Sequence, residues 1–464
     1  MATGLSGQLI RKYLLIFGDI AILYFSFWLT LLIRYQAGFN QQLAGHLLPF
    51  SIVFAIILVI FYVDELYEVT VGRGLIDLLN RLLRSLAIGG GFAVVFFYLG
   101  YGRLFTIKPQ RVLLIYLVVA GVLLYLWRAL FRRLAKSSRI SNGLILVGWN
   151  SLAAEIAKVL VSKPELGFSL KAIVVDAPVA DVPAALHGLV TIRGFDQIKS
   201  VCVEHGANTV VSVIHPRENP SLLRGLFDCL SLKINFTNIA NFYENVTGKI
   251  PVTAIEQIWF LENLTERRKR LYDVAKRLFD IVFAVCLLIL TLPLIPIVAL
   301  FIKLDSEGPV LFRQVRTGRD GKSFTAIKFR TMIQNAEQNG PQWAVKNDTR
   351  VTKLGRLLRK TRIDEIPQLI NVFRGEMSLI GPRPERPEFV EQLQSQMPFY
   401  KERLLIKPGL TGWAQVAGPA YGGSKEESLE KLQYDLYYIK NRSIGLDISI
   451  MLRTIRTVLS RQGQ

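Results

Sequence analysis

"IVFAVCLLILTLPLIPIVALFI", residues 281–302, runs for twenty-two residues without a charge. About 20 apolar residues suffice to cross a bilayer as a helix, so a membrane span is the simplest reading. Pro293 and Pro296 argue against it, because each removes a backbone donor and presses its ring on the carbonyl four residues back. If the chain on both flanks lies on one side, the segment must enter and return. Pro293 then marks the break of a re-entrant helix hairpin covering 278–303. Thr291 is the nearest side chain able to bond a carbonyl freed at the break, and backbone in lipid must be satisfied. On the residues alone, spanning and re-entry both stand.

Upstream, four further apolar runs occupy 13–33, 47–63, 85–101 and 112–130. They predict a four-helix transmembrane bundle over residues 1–140. The first run exceeds a signal-peptide core and lacks a small-x-small cleavage site, so it is expected to be retained. Basic residues cluster at Arg11 and Lys12, at Arg73, Arg81 and Arg84, and most densely from Arg128 to Arg139, while only Arg34 separates runs one and two. That asymmetry puts both ends of the bundle in the cytoplasm. Asp19 lies inside the first run; an intramembrane acid is a functional candidate, or one close enough to the helix end to reach the interface. Over 464 residues, 51% hydrophobic, the net charge is +20. In so apolar a chain this points to anionic headgroups and a phosphorylated substrate rather than nucleic acid. Cys202, Cys229 and Cys286 form no CxxC, which disfavours disulfides and a zinc site.

From 142 the pattern alternates. "NGLILVGWNSLAAEIAKVLVSK" reads as strand, glycine turn and helix, and "KAIVVD" (171–176) and "ANTVVSVI" (207–214) as further strands. This predicts a Rossmann-like α/β domain over 141–260 with a parallel sheet. Gly148 is a fragment of a dinucleotide fingerprint, but Trp149, Asn150 and Ser151 stand where further glycines would admit a pyrophosphate. Asp176 is placed where a ribose would be. A bound nucleotide is therefore the less favoured alternative to a structural or regulatory domain.

Residues 261–464 are expected to be mainly helical, after a charged link at 262–277. A β-hairpin around Asp320-Gly321 is predicted within 309–332. A two-residue turn there would set Arg313, not Arg316, on the face of Lys328, and a longer loop would reverse that choice. "LDISIMLRTIRTVLSRQ" (446–462) spaces Ile448, Met451, Leu452, Ile455, Val458 and Leu459 by threes and fours, with Arg453, Arg456 and Arg461 between. Such a helix suits a membrane surface or a core equally. In "TRIDEIPQLINVFRGEMSLIGPRP" (361–384), Asp364 and Glu365 precede a helix that Pro367 is expected to open, its apolar stripe being Ile366, Leu369, Ile370 and Phe373. Helix capping would explain an isolated acid pair. Here, however, Lys328, Arg359 and Arg383 are cations of the kind that clamp phosphate oxygens. An aspartate, with an ordinary pKa of ~3.9, is an anion at neutral pH and needs no base to attack phosphorus. Phosphoryl transfer through an aspartyl ester and plain Mg²⁺ ligation are both consistent with the cluster. The absence of a GKS/T loop and of His-Glu-x-x-His, with every histidine before residue 216, disfavours a P-loop kinase or a zinc hydrolase.

Five blocks resemble the bacterial sugar transferase family, the monotopic phosphoglycosyl transferases: "KRLFDIVFA", "GPVLFRQVRTGRDGKSFTAIKFRTM", "LGRLLRKTRIDEIPQLINVFRGEMSLIGPRPERPEFV", "KPGLTGWAQV" and "YDLYYIKN". With the upstream helices and α/β domain, the whole chain is similar to the large polyprenyl-phosphate hexose-1-phosphate transferases. The resemblance implies an enzyme of the bacterial inner (cytoplasmic) membrane, its catalytic domain facing the cytoplasm and its helix pair re-entrant. It would move sugar-1-phosphate from a UDP-sugar to undecaprenyl phosphate with Mg²⁺, releasing UMP. That is the first membrane step toward exopolysaccharide, capsule or O-antigen. The resemblance makes Asp364 the nucleophile and a metal ligand, and Glu365 its partner. It assigns Arg316, Lys328, Arg359, Arg383 and Asp435 to metal or phosphates, and it admits a homo-oligomer. Two departures stand out: Leu292-Pro293 replaces the family's Ser-Pro, and "AGPAYGGSKEES" (417–428) lacks the arginine common after "GWAQV". The rival functions are a non-catalytic assembly scaffold and a nucleotide-sugar modifying enzyme using the α/β domain, the latter disfavoured by the missing glycines and the lack of Tyr-x-x-x-Lys.

Overall fold

The computed structural model describes residues 3–64, 66–67, 75–102, 105, 110–136, 142–163, 166–179, 181–255, 259, 270–334, 336, 348–419 and 424–459. The chain divides into two compact units, Met1–Phe242 and Tyr243–Gln464. Half of the charged link (262–269), part of the stretch after "GWAQV" (420–423) and the end of the last basic helix (460–462) lie outside the described residues.

The first unit opens with four helices: α1 (Thr3–Tyr35), α2 (Phe39–Val63), α3 (Leu75–Gly100) and α4 (Gln110–Lys136). They carry apolar spans of 24, 25, 23 and 21 residues, each long enough to cross a bilayer. Phe27, Phe50, Phe54, Phe61 and Tyr116 pack inside the bundle, while Phe17, Leu48 and Tyr98 point outward and exposed. Helices apolar on every side are what a lipid environment selects. Asp19 does not reach the interface. It is fully buried in an ion pair with Arg128, which also donates to the Leu66 carbonyl at 2.6 Å. Asp64, at the end of α2, is likewise held by Arg84 and by Ser85 Oγ at 2.9 Å.

A five-stranded sheet follows, with β1 (Asn142–Val147), β2 (Phe168–Val175), β3 (Val190–Ile192), β4 (Thr209–Ser212) and β5 (Asn235–Asn238). The order is β3-β2-β1-β4-β5, and each pairing is parallel. Leu144 to Val147 are wholly buried, as expected of a central strand covered on both faces. The two strands the sequence did not reveal are its edges, short and partly polar ("VTI", "NFTN"). Gly148 turns out of β1 at φ +88°, and Asn150 caps the next helix, α5 (Ser151–Ser162), through Ala153 N at 2.9 Å. The space over Gly148 is taken by Ile214, whose Cγ1 would lie 2.9 Å from any Cβ there.

The division between the units falls within α8 (Ile239–Thr247), after the intervening helices α6 (Ile198–Glu204) and α7 (Pro220–Asp228). In the second unit, α9 (Arg270–Thr291) and α10 (Leu294–Asp305) replace the single 281–302 run, bent by 62° at Leu292-Pro293. The amides at the break turn to carbonyls three residues back, Leu292 N to Ile289 O and Ile295 N to Leu292 O, both 3.3 Å. The Thr291 hydroxyl donates chiefly to Leu287 O at 2.7 Å and lies 3.4 Å from Leu288 O, whose regular partner is the diverted Leu292 amide. One face of α10 packs Val298 and Ile302 against Phe329 and Leu358. Leu271, Leu278, Leu290, Leu300 and Leu304 stay exposed around the pair.

Candidate active site

The hairpin strands β6 (Leu311–Thr317) and β7 (Ser323–Phe329) pair Phe312 with Lys328 and Arg316 with Phe324. Their turn has three residues, Arg319–Gly321, closed by Gly318 N to Lys322 O at 2.8 Å. Asp320 (φ 56°) and Gly321 (φ 76°) both adopt the left-handed region. The loop is thus one residue longer than a two-residue turn, and because side chains alternate, that residue reverses the face of the whole strand. Arg316, not Arg313, lies on the Lys328 side; Arg313 is exposed on the other.

The acid pair sits in a 3-10 turn, Ile363–Gln368, between α11 (Lys353–Thr361) and α12 (Leu369–Arg374). Pro367 lies inside that turn rather than opening the α-helix. Arg362, the residue before it, is left-handed at φ 58°. A non-glycine residue there costs on the order of 1–2 kcal/mol and persists only when its surroundings hold it. Neither acid caps a helix: the turn has no side-chain cap. Asn371, fully buried in α12, fastens this turn to the hairpin: Oδ1 accepts from Ile327 N at 3.2 Å and Nδ2 donates to Thr325 O at 2.8 Å. The C-terminus of α12 is closed by Arg277, which donates to Val372 O and Phe373 O at 2.7 Å each.

The two carboxylates are both buried yet differ completely in partners. Glu365 Oε1 collects Arg383 at 2.7 Å, Lys328 at 3.2 Å and Arg362 at 3.6 Å. Asp364 Oδ1 has no hydrogen-bond partner among the described residues. Burial works against the Glu365 anion, but Arg383, then Lys328 and Arg362, outweigh it and hold its carboxyl well below the carboxylate range. Burial, and then the Glu365 charge, push Asp364 up to about 6 despite the nearby cations. Burial also pulls the Lys328 ammonium below its ordinary value. Arg359 reaches the same centre from α11, anchored by Nε to Thr331 Oγ1 at 2.9 Å. Arg316 is turned toward the Arg383 segment, donating to Pro384 O at 3.0 Å with Glu385 at 3.7 Å.

Arg383 follows β8 (Ser378–Ile380), which pairs with β9 (Gly409–Thr411). Gly409 packs directly on this segment: a Cβ there would stand 2.1 Å from Gly381 N, so only glycine fits. Asp435 does not face the acid pair. It lies on α15 (Lys425–Asn441), which follows α13 (Pro387–Gln396) and the short α14 (Trp413–Ala417). It accepts from Arg403 Nη2 at 2.8 Å, and the same nitrogen donates to the Arg383 carbonyl at 3.0 Å. Asp435 therefore reaches the site through Arg403 and the Arg383 backbone; burial raises its carboxyl to about 6. Sequence reading missed Asn371, Arg403 and Arg362. Arg403, among many basic residues, carried no local signal, and Asn371 is told apart only by its contacts.

No cluster of three or more His, Cys, Asp or Glu occurs among the described residues, so they build no all-protein metal cage. Mg²⁺ keeps several waters and binds through one or two carboxylates plus substrate phosphates. Asp364, with a buried and unpartnered carboxylate oxygen, fits that mode.

Residues 271–461 match the family model described as Bacterial sugar transferase. Over 240 residues the chain is 42% identical to an Aeromonas hydrophila UDP-N-acetylgalactosamine-undecaprenyl-phosphate N-acetylgalactosaminephosphotransferase, covering 52% of this chain and 56% of that protein. Over 183 residues it is 44% identical to a UDP-glucose:undecaprenyl-phosphate glucose-1-phosphate transferase of Klebsiella pneumoniae, 39% of each chain. A protein of the same description from Caulobacter vibrioides is 43% identical over 191 residues, 40% of this chain and 71% of its own. The chain belongs to the bacterial sugar transferase family. It spans about half or less of the length of the first two relatives, 56% and 39%.

Proposed function

We propose that the protein transfers sugar-1-phosphate from a UDP-sugar to undecaprenyl phosphate, giving undecaprenyl-diphosphate-sugar and UMP, at the start of exopolysaccharide, capsule or O-antigen synthesis. The observation that carries this reading is the contrast inside the acid pair. Glu365 is saturated by cations, while Asp364 presents a buried, unpartnered oxygen. In the first step that oxygen attacks the sugar-bearing phosphorus, and the bond to the UMP oxygen breaks. In the second, an oxygen of the lipid phosphate attacks the same phosphorus, and the aspartyl ester bond breaks to restore the carboxylate. Neither step moves a proton. Glu365 holds Lys328 and Arg383 in place, and these, with Arg359 and Arg316, face the charge of the diphosphate. Asp364 and the donor phosphates would hold Mg²⁺, which would supply further charge neutralisation there.

The substrates meet where a bilayer lipid and a cytosolic nucleotide can both arrive. We read α9–α10 as a re-entrant pair whose exposed leucines enter one leaflet, so that the catalytic part, 261–464, lies on the cytoplasmic face. The exposed Ile444, Ile448 and Ile455 of α16 (Ile444–Leu459) add to that membrane face. The strand order supports a Rossmann-like reading of 141–260. Ile214 over Gly148 counts against a nucleotide in it, and with it against a nucleotide-sugar modifying activity. The test is UMP release by purified protein. Sustained release should require both UDP-sugar and undecaprenyl phosphate, stopping at one UMP per enzyme without the lipid, and Asp364→Asn, still inserted, should lose at least about 10³-fold in kcat. Appreciable turnover by that variant would remove Asp364 as nucleophile.

A further inference from the structure

The family match begins at residue 271, but the catalytic unit begins at Tyr243. The intervening described segment, Tyr243–Ile255, lies along α15. Glu244 Oε2 pairs with Lys440 Nζ at 2.6 Å, and Oε1 accepts from Asn441 Nδ2 at 2.8 Å. Lys249 pairs with Glu430 and sits 5.1 Å over the Tyr434 ring. Ile250 N donates to Gln433 O at 3.1 Å. Trp413 closes the arrangement, donating to Gly248 O at 2.9 Å while stacking on Tyr437 at 5.9 Å. At about 100° per residue, positions 430, 433, 434, 437, 440 and 441 share one side of the helix, and 435 projects from the other. The segment thus backs the helix whose front carries Asp435, and Asp435 holds Arg403 on the Arg383 carbonyl. Glu244, at 5% exposure, is as buried as Asp364 and Glu365, which marks its pairs as fixed rather than solvated.

We propose that Glu244 and Lys249, outside the family match, are positioning residues for the transfer: they seat α15 so that Asp435 and Arg403 fix Arg383 on Glu365. This rests on the phosphoglycosyl transferase reading. The experiment uses the full chain in undecaprenyl-phosphate-containing membranes and measures kcat, donor KM and melting temperature. Four variants are compared: Glu244→Ala, Glu244→Lys, Lys249→Met and the exchange Glu244→Lys with Lys440→Glu. Small displacements of a catalytic group cost up to about 100-fold in rate. Glu244→Ala and Lys249→Met should therefore lower kcat per folded molecule by about 10- to 100-fold, with a smaller change in donor KM. The exchange should recover most of what Glu244→Lys loses. Should Glu244→Lys fail to insert, Lys249→Met carries the test. Active wild type with kcat within about twofold in both single variants, whatever their melting temperature, overturns the inference. Wild type that releases no UMP overturns the reaction itself.

Discussion

Asp364 and Glu365 are chemically near-identical neighbours whose surroundings drive them apart. Glu365 gathers three cations, so the pair keeps one firmly anionic member, and burial together with that charge raises the other to about 6. The ordinary aspartate value expected from the sequence, ~3.9, therefore does not hold here. A nucleophile must be deprotonated, so kcat/KM should fall tenfold per pH unit below about 6. Lys328 lowers the Asp364 value, and Lys328→Met should move this limb to higher pH. A pH–rate profile with its acid limb near ~3.9 would contradict the assignment. That acids and cations met here was legible in the residue types. Which acid would lack a partner was not, because it depends on Arg383 and Lys328, eighteen residues after and thirty-seven before Glu365.

At the scale of elements, one turn residue decides whether Arg316 or Arg313 joins the site, and Asp-Gly suits two- and three-residue turns alike. Short edge strands were illegible for a similar reason: three or four partly polar residues give no period to read. The helix break was legible, because proline acts locally, and the bend falls at Leu292-Pro293. Its chemistry was read less well. The main response is a shift of backbone amides to i−3 carbonyls, with Thr291 assisting. In a Cys286→Ser background, cysteines placed at Arg270 and Glu307 should both label from the cytoplasmic side. Pro293→Ala with Pro296→Ala restores the regular donors and should shift part of the 307 population to the far side. A far-side 307 in the unaltered sequence would contradict re-entry.

For the whole molecule, the four spans follow from apolar length alone: each run falls on one observed helix, although the first three helices begin about eight to ten residues before the runs. The long-range pair Asp19–Arg128 was not foreseeable, since it joins the first helix to the fourth. Removing one member of such a buried pair leaves an uncompensated charge, at a cost of about 3–5 kcal/mol. Asp19→Leu and Arg128→Met should each lower the unfolding temperature of the detergent-solubilised protein, and the double replacement should lower it less than either. Equal, additive losses would mean that the two residues act separately. The central claim, a sugar-phosphate carried on Asp364, is tested most directly by trapping. Protein incubated with labelled UDP-sugar and no lipid acceptor should yield, on mass spectrometry, a hexose-phosphate adduct on the peptide bearing residue 364. Adding undecaprenyl phosphate should discharge it, whereas an unmodified peptide from enzyme that turns over with lipid would contradict the account.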